Sequence, residues 1–139
     1  MRMAIMFSAL LAGCSGQSQP VKAETKPAAR DVLVQYATAS CFAFQQNDYL
    51  KDQGERWAGA IMQNARGPVE EWTPVADAVK AELARSGVAQ GQGEGPQSPT
   101  VPLPVMTCGK IVATPAVSRS IDASAKALAD DYQKEEGNG

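Results

Sequence analysis

The sequence predicts an all-α protein: a small single-domain helical bundle of about five helices with one disulfide, after a lipoprotein signal and flexible tether. Three observations carry this. Apolar residues recur at helical spacing in successive segments between Asp31 and Tyr132. Those segments are separated by Asn-Asp, Gly-Pro or Gly- and Pro-rich stretches, which end helices by removing donors or adopting left-handed backbone. Finally, Cys41 and Cys108 form an even pair once the leader's Cys14 is set aside.

Residues 1–13 read as a signal peptide. Arg2 supplies a basic end, Met3 to Leu11 an apolar core, and Leu11-Ala12-Gly13-Cys14 the apolar and small residues that precede a lipid-accepting cysteine. The rival reading is a buried cysteine on a short amphipathic helix. The run is too short to span a bilayer and carries no polar face, which favours the signal with lipidation at Cys14. Ser15, not aspartate, follows the cysteine, and this resembles the outer-membrane sorting choice of enteric-type bacteria. The expected location is therefore the periplasm, lipid-anchored to the outer membrane, and a start upstream of Met1 stays open. Residues 14–30 form a lipidated flexible tether, because the Ser-, Gln-, Pro-, Lys- and Glu-rich stretch from Ser15 to Arg30 has only Val21 as a large apolar residue. Residues 31–132 form the domain, and 133–139 a disordered tail.

The domain's elements follow in order. Asp31 to Gln46 brings Leu33, Ala37, Cys41 and Phe44 onto one helical face, with Asp31 as N-cap. Val32, Val34 and Phe42 add apolar character on other sides, so this helix is expected to be buried broadly. A buried strand is the rival reading. Tyr49 to Arg66 carries Leu50, Trp57, Ile61 and Ala65 and stops at Gly67-Pro68. Val69 to Ser86 aligns Trp72, Val75, Ala76, Val79 and Leu83, with Thr73-Pro74 restarting or kinking the helix and Gly87 ending it. Both tryptophans are expected in the core. Gly87 to Pro104 lacks periodicity and reads as a long loop, either functional or a disordered excursion without a partner. Val105 to Ala113 is a short helix with Val105, Cys108 and Val112 on one side. Thr114-Pro115 caps a last helix carrying Val117, Ile121, Ala125, Leu128 and Tyr132.

Composition bounds the chemistry. The chain has 139 residues, 13 basic against 15 acidic and no histidine. Near-balanced charge excludes a basic nucleic-acid patch. Without histidine, neither cysteine has the usual base to make it a nucleophile, and the commonest metal ligand is missing. In an oxidising compartment Cys41 and Cys108 are expected to bond, the rival being two separate buried thiols. No phosphate-binding glycine motif, dinucleotide fingerprint or spaced ligand cluster occurs. The pairs Glu70-Glu71, Asp130-Asp131 and Glu135-Glu136 point in different directions on a helix and read as solvated faces. No catalysis, cofactor or metal is expected.

The blocks Tyr36-Ala37-x-x-Ser40-Cys41, Gly67-Pro68-Val69-Glu70 with Trp72, and Val105-Met106-x-Cys108 followed by Thr114 and Val117 carry a resemblance. Over Asp31 to Leu128 the chain resembles the periplasmic immunity proteins that neutralise the fourth family of type VI secretion amidase effectors. That resemblance implies an all-helical fold, cysteines able to bond, and a loop between the third and fourth helices that enters the active-site groove of a peptidoglycan amidase. Here the loop is Gly87 to Pro104. Within it Gly91, Gln92, Gly93, Glu94, Gly95, Pro96, Gln97 and Ser98 are the expected partner-binding residues: glycines for close approach, prolines for stiffness, and Glu94, Gln92, Gln97 and Ser98 for polar contacts. The alternative is a structural or scaffolding cell-envelope lipoprotein, and a homodimer stays open.

Overall fold

Helix α1 (Ala29–Ala43) is the pillar around which the other elements assemble. The computed structural model describes residues 28–134. Leu33, Ala37, Ala39, Ser40 and Cys41 are all buried, and they cover more than one side of the helix. Such a distribution belongs to a helix packed from several directions, and α1 touches α2 (Asp48–Gln63), α3 (Thr73–Ser86), α4 (Pro104–Val112) and α5 (Pro115–Ala127). The alternative of a strand over this segment is thereby settled. The helix begins earlier than its sequence signal, with Ala28 at the cap and Asp31 already in the first turn, where its charge favours the positive end of the helix dipole. Phe44, expected on the buried face, is exposed because α1 ends one residue before it and the chain turns away.

Asn47 caps α2 by accepting a hydrogen bond from the Leu50 N–H at 3.0 Å. The helix stops at Gln63, short of the Gly67-Pro68 signal, and Gly67 instead supplies a positive φ in the connecting turn. Gly54 and Ile61 form its buried face against α1. Trp57, expected in the core, is 38% exposed. The reason is rotation: α2 seats its glycine, not its tryptophan, on α1, leaving Trp57 at the margin beside Phe42 with ring centroids 6.4 Å apart.

A 3-10 turn (Val69–Glu71) leads into α3, which restarts at Thr73-Pro74. Trp72 sits between them and is fully buried, its indole N–H donating to the Arg66 carbonyl at 3.2 Å and its ring meeting Tyr36 edge-on at 5.4 Å. α3 closes at Gly87, whose φ of 67° and ψ of −174° lie in a backbone region open essentially to glycine alone.

Cys108 on α4 is bonded to Cys41 on α1, with Cα atoms 5.6 Å apart. The inner face of α4 consists of Thr107, Cys108 and Ile111, whereas Val105, expected there, is 61% exposed. The bond to α1 decides which way α4 faces. α5 buries Val117, Ile121 and Ser124, and Leu128 follows them into the core. The last helix is not continuous: it breaks at Leu128, and α6 (Ala129–Gln133) carries Tyr132. Thr114 makes no cap bond to α5; its hydroxyl donates back to the Ile111 carbonyl at 2.7 Å. Among the described residues no helix is long and apolar enough to cross a membrane. Residues 1–27 and 135–139, with the signal, most of the tether, Cys14 and most of the tail, lie outside the described residues.

Candidate functional site

The segment read as an irregular loop is a β-hairpin. β1 (Gln90–Gln92) pairs antiparallel with β2 (Thr100–Pro102), Gln90 opposite Pro102, Gly91 opposite Val101 and Gln92 opposite Thr100. No side-chain alternation announced it, because its glycines and prolines mask the period by which strands are recognised. It joins α3 to α4, and its strands lie against each other far more than against any helix.

The hairpin is firmly rooted. Leu103 N–H donates to the Ala89 carbonyl at 2.8 Å, continuing the strand pairing to the base. The Ala89 N–H donates to the Thr107 hydroxyl at 2.9 Å, and that hydroxyl donates in turn to the Leu103 carbonyl at 2.9 Å. Thr107 is buried one residue before the disulfide cysteine, so hairpin, α4 and α1 are held together at one point. Gln45 lines the same place: its side-chain N–H donates to the Cys41 carbonyl at 3.1 Å and lies 3.3 Å from Cys108 Sγ. The sequence reading singled out neither Thr107 nor Gln45; their positions beside Cys108 and one helical turn beyond Cys41 were the only available signals.

At the tip, Gly95 adopts a φ of 103° and Ser98 N–H closes a turn on the Gly95 carbonyl at 3.2 Å, with Pro96 at the position where its fixed φ suits the turn. The Ser98 hydroxyl donates to the Glu94 carbonyl, so Ser98 braces the tip from inside. Gln92, Gly93, Glu94, Gly95, Pro96 and Gln97 are exposed, and Gly91 is partly covered by Leu103, to which an added Cβ would come within 2.9 Å. The eight expected binding residues thus lie together on one projection, six of them facing outward. Glu94 is the only charged side chain from Gly87 to Pro104.

Beside the root runs a groove of about 660 Å³, walled by Phe44, Lys80, Leu83, Val88, Pro102 and Pro104. The Lys80 ammonium lies 5.9 Å from the centre of the Phe44 ring. On the other side of the root the buried Glu82 carboxylate is met by the Arg85 guanidinium, which holds its pKa below the ordinary carboxylate value. Burial raises the Tyr36 phenol against Trp72, while its hydrogen bond with Ser40 opposes the shift. Among the described residues no group of three or more histidine, cysteine, aspartate or glutamate side chains is placed to hold a metal ion. What the hairpin presents is main-chain donors and acceptors, amide side chains and one carboxylate, which are groups for binding.

No protein-family model matches the chain, and no curated protein or solved structure is significantly similar to it.

Proposed function

We propose that this chain is a periplasmic immunity protein that binds and inhibits a type VI secretion peptidoglycan amidase effector by inserting the hairpin between α3 and α4 into its active-site cleft. One observation carries the reading above the others: a narrow, glycine-tipped hairpin stands clear of a helical body and is fastened to it by Thr107 next to a disulfide. The paired strands, Gln90–Gln92 and Thr100–Pro102, span roughly 10 Å, and the turn of residues 93–99 projects beyond them, a shape that can enter an enzyme groove without the helices following. Fastening the root lowers the ordering cost of binding, and small residues at the tip let the backbone approach closely. Inhibition of this kind is occlusion and needs no chemistry from the inhibitor. A lipid at Cys14 and the tether would hold the domain in the periplasm, at the outer membrane, where an incoming cell-wall amidase acts.

The test is calorimetry with purified type VI secretion peptidoglycan amidases of the fourth effector family. Replacing Gly91 to Pro99 by a short Gly-Ser linker is expected to keep the helical signal and the disulfide but raise Kd more than tenfold, a loss above about 1.4 kcal/mol. Equal affinity in the replaced chain would move binding to the helices and end the plug mechanism. No binding by the unmodified chain would favour the scaffolding reading.

A further inference from the structure

Facing residues of an antiparallel pair alternate between those that exchange both backbone hydrogen bonds and those that turn these groups outward. The bond from Leu103 N–H to the Ala89 carbonyl sets Ala89 and Leu103 in the phase whose groups face the partner strand, the Ala89 N–H going to the Thr107 hydroxyl instead, and the register then places Gly91 and Val101 in the same phase. Gln90 and Gln92 therefore turn their N–H and C=O groups away from β2. On the opposite edge Thr100 and Pro102 do the same.

These two edges are chemically unlike. Proline brings no N–H, so Pro102, with Pro104 beyond it, leaves Thr100 as the donor of the β2 edge. The β1 edge keeps both donors and both acceptors of Gln90 and Gln92, and the intervening Gly91 and following Gly93 place no side chain in the way. Proteins blunt exposed edges with proline, charge or cover, and here only one of the two is blunted. Neither Gln90 nor Gln92 carries a charge, and both are exposed.

We propose that the β1 edge is the place where an extended segment of the target amidase's own chain adds as a third strand, pairing with the outward groups of Gln90 and Gln92 while the tip enters the cleft. This rests on the inhibitor reading and adds to it the mode of recognition, main-chain pairing on one defined edge. Such pairing would tolerate side-chain change at Gln90 and Gln92 but not loss of their amides.

Amide-resolved hydrogen exchange on the chain without its leader, free and bound to a purified peptidoglycan amidase of that effector family, tests this. In the complex the Gln90 and Gln92 amides are expected to slow at least about tenfold while the Thr100 amide is unchanged. As a second measurement, Gln92→Pro, at a position whose N–H is not used by β2, is expected to raise Kd at least about tenfold relative to Gln92→Ala, with the helical signal retained. If the hairpin itself fails in Gln92→Pro, the exchange measurement on the unmodified chain decides. A tight complex in which Gln90 and Gln92 stay unprotected overturns the edge and leaves the inhibitor reading standing. Protection in the free chain that grows with its concentration gives the edge to a second copy and also overturns it. A chain that does not bind the amidase overturns both readings.

Discussion

Gly54 governs how closely α1 and α2 can approach, because a Cβ there would fall 2.2 Å from the backbone nitrogen of Ala43 and 2.7 Å from the Ala39 carbonyl oxygen. Both neighbours are backbone and cannot swing aside. Gly59, on the same helix, has nothing within 4 Å of such a Cβ. Gly54→Ala is accordingly expected to destabilise the fold by about 1–3 kcal/mol, overpacking outweighing the better helix propensity, whereas Gly59→Ala should stabilise by about 0.5–1 kcal/mol. Urea unfolding of the two variants reads the opposite signs; a stabilising Gly54→Ala would mean that the helices are further apart than described. Glu82 offers a second test at this scale. Its carboxyl is buried and hydrogen-bonded by Arg85, so its folded pKa lies below the ordinary 4.5. A group with a depressed folded pKa contributes its stability above the unfolded pKa and loses it as pH falls through the folded one. Glu82→Gln should therefore flatten the fall of stability with acid below about pH 4.5. Parallel urea midpoints for both proteins between pH 7 and pH 3 would remove Glu82 from the acid response.

At the scale of elements, the disulfide has the largest single consequence. It spans 67 residues, a loop that contains α2, α3 and the hairpin. The chain-entropy estimate for closing such a loop is about 4 kcal/mol. A Cys41→Ala, Cys108→Ala double variant is expected to lose about 2–4 kcal/mol in denaturant unfolding at unchanged helical content. It should also weaken the proposed binding to an amidase, since Thr107 and the hairpin root sit next to the lost bond. Stability equal to the parent's would show that the unfolded chain is already constrained without it. The helices illustrate how far local pattern carries. The order of helical segments was legible because the apolar period is a local property, and the Gly87 end because a positive φ favours glycine. The rotation of α2 and α4 was not: Trp57 against Gly54, and Val105 against Ile111, are choices made by what each helix packs on.

At the scale of the whole molecule, the proposed lipid anchor at Cys14 and the folding of the helical domain are expected to be independent. Among the described residues no buried side-chain nitrogen or oxygen lacks a hydrogen-bond partner. Cys14→Ser is expected to leave the domain folded, with its helical signal and disulfide unchanged, while shifting the protein from the membrane fraction to the soluble one or stalling it as an uncleaved precursor. Palmitate labelling that persists in the variant would remove the lipid anchor.

By itself the sequence determined the helical class, the order of segments and which two cysteines remained to pair, since these depend on short-range periodicity and on residue identity. It also marked Gly91 to Ser98 as an unusual segment, through composition alone. Only the tertiary structure decided that this segment is a paired hairpin, that Thr107 roots it, that Gln45 lies against the disulfide, and that the edges of β1 and β2 differ in their free donors. Those outcomes depend on backbone hydrogen bonds and side-chain contacts between residues distant in sequence, and a glycine that permits a close contact leaves no hydrophobic mark in the chain.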